Sequence, residues 1–180
     1  MTNKGQIVEI PANAPLYKRE VPEFFSKKES LFWKSQKGVY SLFDGFLVGE
    51  HSGVDVFKIG QRKGINVGGK KEPLYVINID KANNRLFVGA GENHPGLWTN
   101  AFNFSESFFQ WNLQTSFTLK ERENGISVEV QSSVVEGKIS AKLYIYDGII
   151  FLEFDKPVLI IIKENPIRIF YKNMIIAEKQ

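Results

Sequence analysis

Short runs of β-branched and aromatic residues, each closed by a turn dipeptide, leave this 180-residue chain little room for helix. Lys142 to Tyr146 and Ile149 to Phe154 flank Asp147-Gly148, and Val39 to Phe43 and Phe46 to Gly49 flank Asp44-Gly45. Both read as hairpins, because a type I′ turn needs positive φ at its two central residues and Asp-Gly tolerates that best. Leu74 to Ile79 and Arg85 to Val88 form a third hairpin through Asp80 to Asn84. Further strands are expected at Ile126 to Gln131, Val158 to Ile162, Ile167 to Tyr171 and Met174 to Ala177, with a turn at Asn124-Gly125. No window of eleven or more residues has a clean helical period, and the best short candidates are Val21 to Ser26 and Ser105 to Trp111. The expectation is an all-β protein of two small β-barrel-like subdomains with little helix. Residues 1–37, bearing Pro11, Pro15 and Pro22, read as an irregular lead-in, 38–98 as a first β-domain and 99–180 as a C-terminal β-barrel.

The charge is localised. Residues 1–57 balance seven basic against seven acidic side chains, and 86–180 carry nine basic and eleven acidic. Between them, Lys58, Arg62, Lys63, Lys70, Lys71, Lys81 and Arg85 stand against only Glu72 and Asp80. The net charge of +3 is therefore concentrated in one glycine-rich stretch, which is how a polyanion-binding loop reads in sequence. A solvated lysine-bearing turn would read the same way.

Signs of chemistry are few. The chain has no cysteine, which excludes disulfides, thiolate metal sites and a cysteine nucleophile in this polypeptide. Gly64 to Lys71 resembles a phosphate loop but lacks the final Ser or Thr and runs on into Glu72, Pro73 and a strand rather than a helix. His51 and His94 each stand in a glycine-rich turn without a second histidine at ligand spacing, so no metal site is expected. Glu50, His51 and Asp55 could be drawn as an acid/base group, yet nothing marks a nucleophile, and no catalytic residue or cofactor is assigned. The aromatic cluster Phe102, Phe104, Phe108, Phe109 and Trp111 could stack on bases or fill a core, and core filling is the expected role. The start of the chain has no apolar stretch of signal-peptide length, and Val158 to Ile162 is too short to cross a bilayer. A cytoplasmic protein without a membrane partner is expected.

Three strings taken together carry a family resemblance. Gly49-Glu50-His51-Ser52-Gly53, then Lys58 to Gly69 (KIGQRKGINVGG), then Glu72-Pro73-Leu74-Tyr75-Val76 resemble the non-catalytic half of bacterial tRNA 2-thiouridylases. That family shows a GEHxG turn, a TIGQRKGLxIGG loop and a PxYV strand in the same order. The likeness continues through Asp80 to Val88 and Gly91 to Leu97, reaches Trp111, and covers roughly Gly38 to Ala177. It implies the central β-domain and the elongation-factor-like C-terminal barrel of an enzyme that replaces the wobble-uridine oxygen with sulfur. The family's PP-loop ATPase signature, SGGxDS, and its two cysteines are absent from this sequence. Gln131 to Val135 and Lys163 to Pro166 replace the family's basic RYRQ strand and its TPGQ turn.

The resemblance therefore implies a non-catalytic tRNA- or RNA-binding accessory module. Lys58, Arg62, Lys63, Lys70 and Lys71 would meet phosphates, Gln61 would hydrogen-bond a base or backbone, and Gly64 with its neighbouring glycines would let RNA approach closely. The alternative is an interaction subunit that docks on a separately encoded PP-loop ATPase or sulfur-transfer protein.

Overall fold

The computed structural model describes residues 4–36, 39–112, 114 and 116–180. The fold is mainly β, with a four-stranded and a seven-stranded sheet. The chain divides into two compact units, Met1–Pro22 with Lys37–Trp98, and Glu23–Gln36 with Thr99–Gln180. The boundary expected at Lys37 and Gly38 falls outside the described residues.

The first unit is built on strand β1 (Gly5–Glu9), which the sequence expectation assigned to an irregular lead-in. It lies between β2 (Phe46–His51) and β4 (Arg85–Ala90), and β3 (Leu74–Asp80) closes the far edge, giving the order β2-β1-β4-β3. β1 runs antiparallel to β2 and parallel to β4, with Ile7 opposite Leu86. A central strand has no hairpin turn to announce it, because its partners lie far along the chain. Its neighbouring Ile7 and Val8 are both buried, as expected of a strand covered on two faces. They pack in a core that includes Val76, Ile77, Leu86, Phe87 and Val88. The β3–β4 hairpin forms as expected, with Asp80 accepting from the Asn83 backbone N–H at 3.0 Å.

The two Asp-Gly dipeptides behave differently. At Asp147-Gly148, φ is 49° and 73°, and the turn joins β8 (Ile139–Tyr146) to β9 (Ile149–Leu159) as a hairpin. Asp44-Gly45 makes no hairpin. Asp44 ends a 3-10 turn (Leu42–Asp44) in which its carboxylate accepts from the Ser41 backbone N–H at 2.7 Å, and β2 pairs with β1 instead. Gly45 is extended, at φ −157°, and serves close approach, since a Cβ there would lie 2.1 Å from the Glu9 carbonyl oxygen.

His94, 2% exposed, ties the same unit together. Its Nδ1 accepts from the Gly96 N–H at 3.1 Å, so its Nε2 carries the proton and donates to the Ile10 carbonyl at 2.9 Å. Burial pushes the ring's pKa down, against the opposing effect of that carbonyl.

The second unit holds the seven-stranded curled sheet, in the order β5-β9-β8-β7-β10-β11-β6. The remaining strands are β5 (Trp98–Ser105), β6 (Gln110–Trp111), β7 (Ile126–Ser132), β10 (Ile167–Tyr171) and β11 (Met174–Lys179). Alternating residues of β7 turn inward, joining Leu143, Ile150, Leu152, Ile167 and Ile169 in the main core. Phe102, Phe104 and Phe109 belong to that core and Trp111 packs against it, whereas Phe108 is exposed.

Several local expectations shift here. Val158 and Leu159 end β9, and Ile160–Glu164 turn into a 3-10 segment. Ser105 to Trp111 is a 3-10 turn followed by β6 rather than a helix. Asn124 closes helix α2 (Leu119–Asn124), started by a Thr118/Glu121 capping box and stopped by Gly125 at φ 88°.

Helix α1 lies just beyond the stretch Val21 to Ser26, at Lys27–Ser35, with the Ser26 hydroxyl accepting from the Glu29 N–H. Leu31 is buried against Tyr144 and Phe151, and the Phe32 and Phe151 rings meet edge to face at 4.8 Å. Tyr144 and Phe151 are cross-strand partners in β8 and β9, so α1 covers a sheet face that would otherwise meet water. Lys27 and Lys34 both bind the Glu153 carboxylate, at 2.6 and 2.8 Å. Burial raises the Glu153 pKa, but the two ammonium groups outweigh it and hold the carboxyl below its ordinary range.

Candidate nucleic-acid interface

The basic loop joins β2 to β3, and its fold follows from a few anchors. Val54, Phe57, Ile59 and Ile65 are buried and pin the segment to the first unit. Gly60 donates its N–H to the Val76 carbonyl at 2.8 Å, and Val76 donates back to the Gln61 carbonyl at 2.9 Å, which stitches the loop to β3. Gly60, Gly64 and Gly69 take φ of 79°, 86° and 74°, a region closed to most side chains, so the turns themselves require these glycines. Gly68 differs: its φ is not positive, and a Cβ there would meet nothing within 4 Å.

Gln61 works inward. Its Oε1 accepts from the Lys58 backbone N–H at 2.9 Å and its Nε2 donates to the Lys63 carbonyl at 2.7 Å. The amide therefore sets the GQRKG turn and fixes the backbone from which Lys58 and Lys63 project. Lys58, Arg62, Lys63 and Lys71 are all exposed, and among the described residues none of them has an ion pair.

Lys70 is set apart from that group. It is ion-paired with Glu9 of β1, a residue sixty-one positions earlier, and the pair is mostly covered, the two side chains being 31% and 18% exposed. Sequence gives no warning of this neutralisation, because the partner arrives through the β1 pairing. Lys81 is ion-paired with Asp55 at 3.5 Å, and Arg85 donates to Gln6 at 3.1 Å. The second unit has its own pairs, Lys28–Asp147, Lys138–Glu129 and Arg168–Glu178 beside the two lysines on Glu153.

Glu50, His51 and Asp55 do not converge on one another. Glu50 is exposed and paired with Lys4 at 3.0 Å, Asp55 faces Lys81, and His51 is buried with Nδ1 accepting from the Gly53 N–H at 3.0 Å.

Fold and loop together define a two-unit β protein with a cation-bearing turn on its first unit, and residues 30–90 match the model of the tRNA methyl transferase PRC-barrel domain. The chain is related to tRNA-specific 2-thiouridylases. It is 34% identical to the tRNA-specific 2-thiouridylase MnmA of Flavobacterium johnsoniae over 154 residues, 86% of this chain and 38% of that protein. The corresponding protein of Christiangramia forsetii is 34% identical over 166 residues, covering 78% of this chain and 42% of its own length. That of Karelsulcia muelleri is 34% identical over 156 residues, covering 87% and 37%. The chain thus spans about two fifths of the length of these relatives. Among the described residues no helix is long and apolar enough to cross a membrane.

Proposed function

We propose that the first unit is a tRNA-binding module whose loop engages the phosphate backbone through Lys58, Arg62, Lys63 and Lys71. The observation that carries this reading is the crowding of these four exposed cations, which have no ion pair among the described residues, into positions 58–71 of one loop, whereas other exposed cations without an ion pair, such as Lys18, Lys142 and Lys156, are spread along the chain. A turn whose backbone is already folded spares the ordering of that backbone when its cations meet a polyanion. Gln61 enters as the residue that shapes the turn, and Gly64 as the one that permits it. The resemblance to proteins named for tRNA thiolation selects tRNA among polyanions.

Thiolation itself needs groups this sequence lacks, because it has no cysteine and no SGGxDS string. In this reading the module presents tRNA to an ATP-using, sulfur-transferring protein domain supplied elsewhere. The test is competition for unmodified tRNA between the natural protein and a variant with Lys58, Arg62, Lys63 and Lys71 all changed to alanine. Loss of most of the affinity supports the reading, and equal affinity refutes it.

A further inference from the structure

The four cations do not account for one feature of the same face. Glu9 lies directly opposite Phe46 across the β1–β2 pair, and Ile7 lies opposite Gly49. A register shift at this point puts Glu9, Phe46, Ile7 and Gly49 on one side of the sheet. The basic loop crosses that side: a Cβ at Gly49 would lie 3.1 Å from the Val67 side chain, and Lys70 is held by Glu9. Directly opposite residues have Cβ atoms about 5 Å apart, so the Phe46 side chain leaves the sheet next to that of Glu9, which anchors the loop through Lys70. Yet Phe46 is 67% exposed, and Phe43, three residues earlier in the 3-10 turn, is 98% exposed. A ring as exposed as that of Phe46 adds little to the packing of this unit.

Resting on the tRNA-binding reading, we propose that Phe46 is a stacking platform for an unpaired nucleobase, so that this surface takes single-stranded or bulged RNA rather than duplex alone. Charge complementarity selects the occupant: the loop that crosses this side carries the exposed Lys58, Arg62, Lys63 and Lys71, which suits a base whose own phosphates meet the loop. Stacking on aromatic rings is tolerant of base identity, whereas an unbroken duplex offers no free base face.

The experiment measures binding of a fluorescent oligouridylate and of a blunt RNA duplex to the natural protein and to Phe46→Ala, Phe46→Trp and Phe46→Leu. Substitution at so exposed a position leaves folding intact, which circular dichroism checks. Phe46→Ala and Phe46→Leu are expected to weaken oligouridylate binding by roughly 5- to 100-fold while leaving the duplex within twofold, and Phe46→Trp to restore it. Equal loss on both probes, or no loss on the oligouridylate, overturns the platform. Oligouridylate binding that depends on Lys63 but not on Phe46 would leave the tRNA-binding reading standing without the platform. Failure of both RNAs to bind the natural protein refutes the two together.

Discussion

The carboxylate of Glu9, at the end of β1, neutralises the ammonium of Lys70 in the basic loop. This single contact removes one cation from the interface and fastens the loop to the sheet. Releasing it should therefore have two opposite effects. Glu9→Gln is expected to lower stability by about 0.5–1 kcal/mol, as a partly covered ion pair is lost. At the same time it frees Lys70 for phosphate, steepening the salt dependence of tRNA binding by roughly 0.7–0.9 in log-log slope. Lys70→Ala should cost similar stability and leave the slope unchanged. Denaturant unfolding and salt titrations of the two variants separate these outcomes.

The glycines of the loop make unequal demands. Gly68→Ala is expected to alter stability by less than about 0.5 kcal/mol, because the position is open and its φ is not positive. Gly69→Ala, at φ 74°, should cost about 1 kcal/mol or more. Thermal unfolding checks both. A loss of tRNA affinity in the folded Gly68→Ala protein would mark where the RNA backbone lies closest.

Glu153 gives the second unit a pH dependence with a definite sign. A carboxyl whose folded pKa is lowered contributes stability above its unfolded value, and that contribution disappears as the pH falls through the folded value. The docking of α1 should therefore weaken on acidification below the ordinary glutamate range, about pH 4.3. The Trp33 indole, packed against Phe24 at 5.8 Å, reports it by NMR. Glu153→Gln should remove the pH dependence and leave the helix more weakly held at neutral pH.

Local chemistry made part of this structure legible before any coordinates. Asp147-Gly148 formed its hairpin because both residues take positive φ and the two strands follow one another directly. Asp44-Gly45 carries the same letters, but Ser41 captures the Asp44 carboxylate and β1 occupies the place where the other hairpin strand would have paired. β1 itself was hidden because both its partners are distant in sequence. α1 was hidden because it has only nine residues and gains its stability from Phe151 and Glu153, more than a hundred positions later. Thr118 and Glu121 did signal α2 through their capping-box spacing, and that sign was available in the sequence.

The candidate site was legible as a charge excess but not as an arrangement. The loop cations could be counted from sequence, whereas the neutralisation of Lys70 and the inward duty of Gln61 depend on tertiary contacts. Phe46 looked like one more strand residue, and only the edge position of β2 shows that its ring is left uncovered.

The central claim is that four prefolded cations bind the tRNA backbone, and it makes a numerical demand. Titrating unmodified tRNA between 50 and 200 mM monovalent salt should give a log-log slope of roughly −2.8 to −3.6, corresponding to four phosphate contacts. Replacing Lys58, Arg62, Lys63 and Lys71 with alanine should bring that slope close to zero. A slope near zero for the natural protein, or an unchanged slope in the variant, would contradict the account.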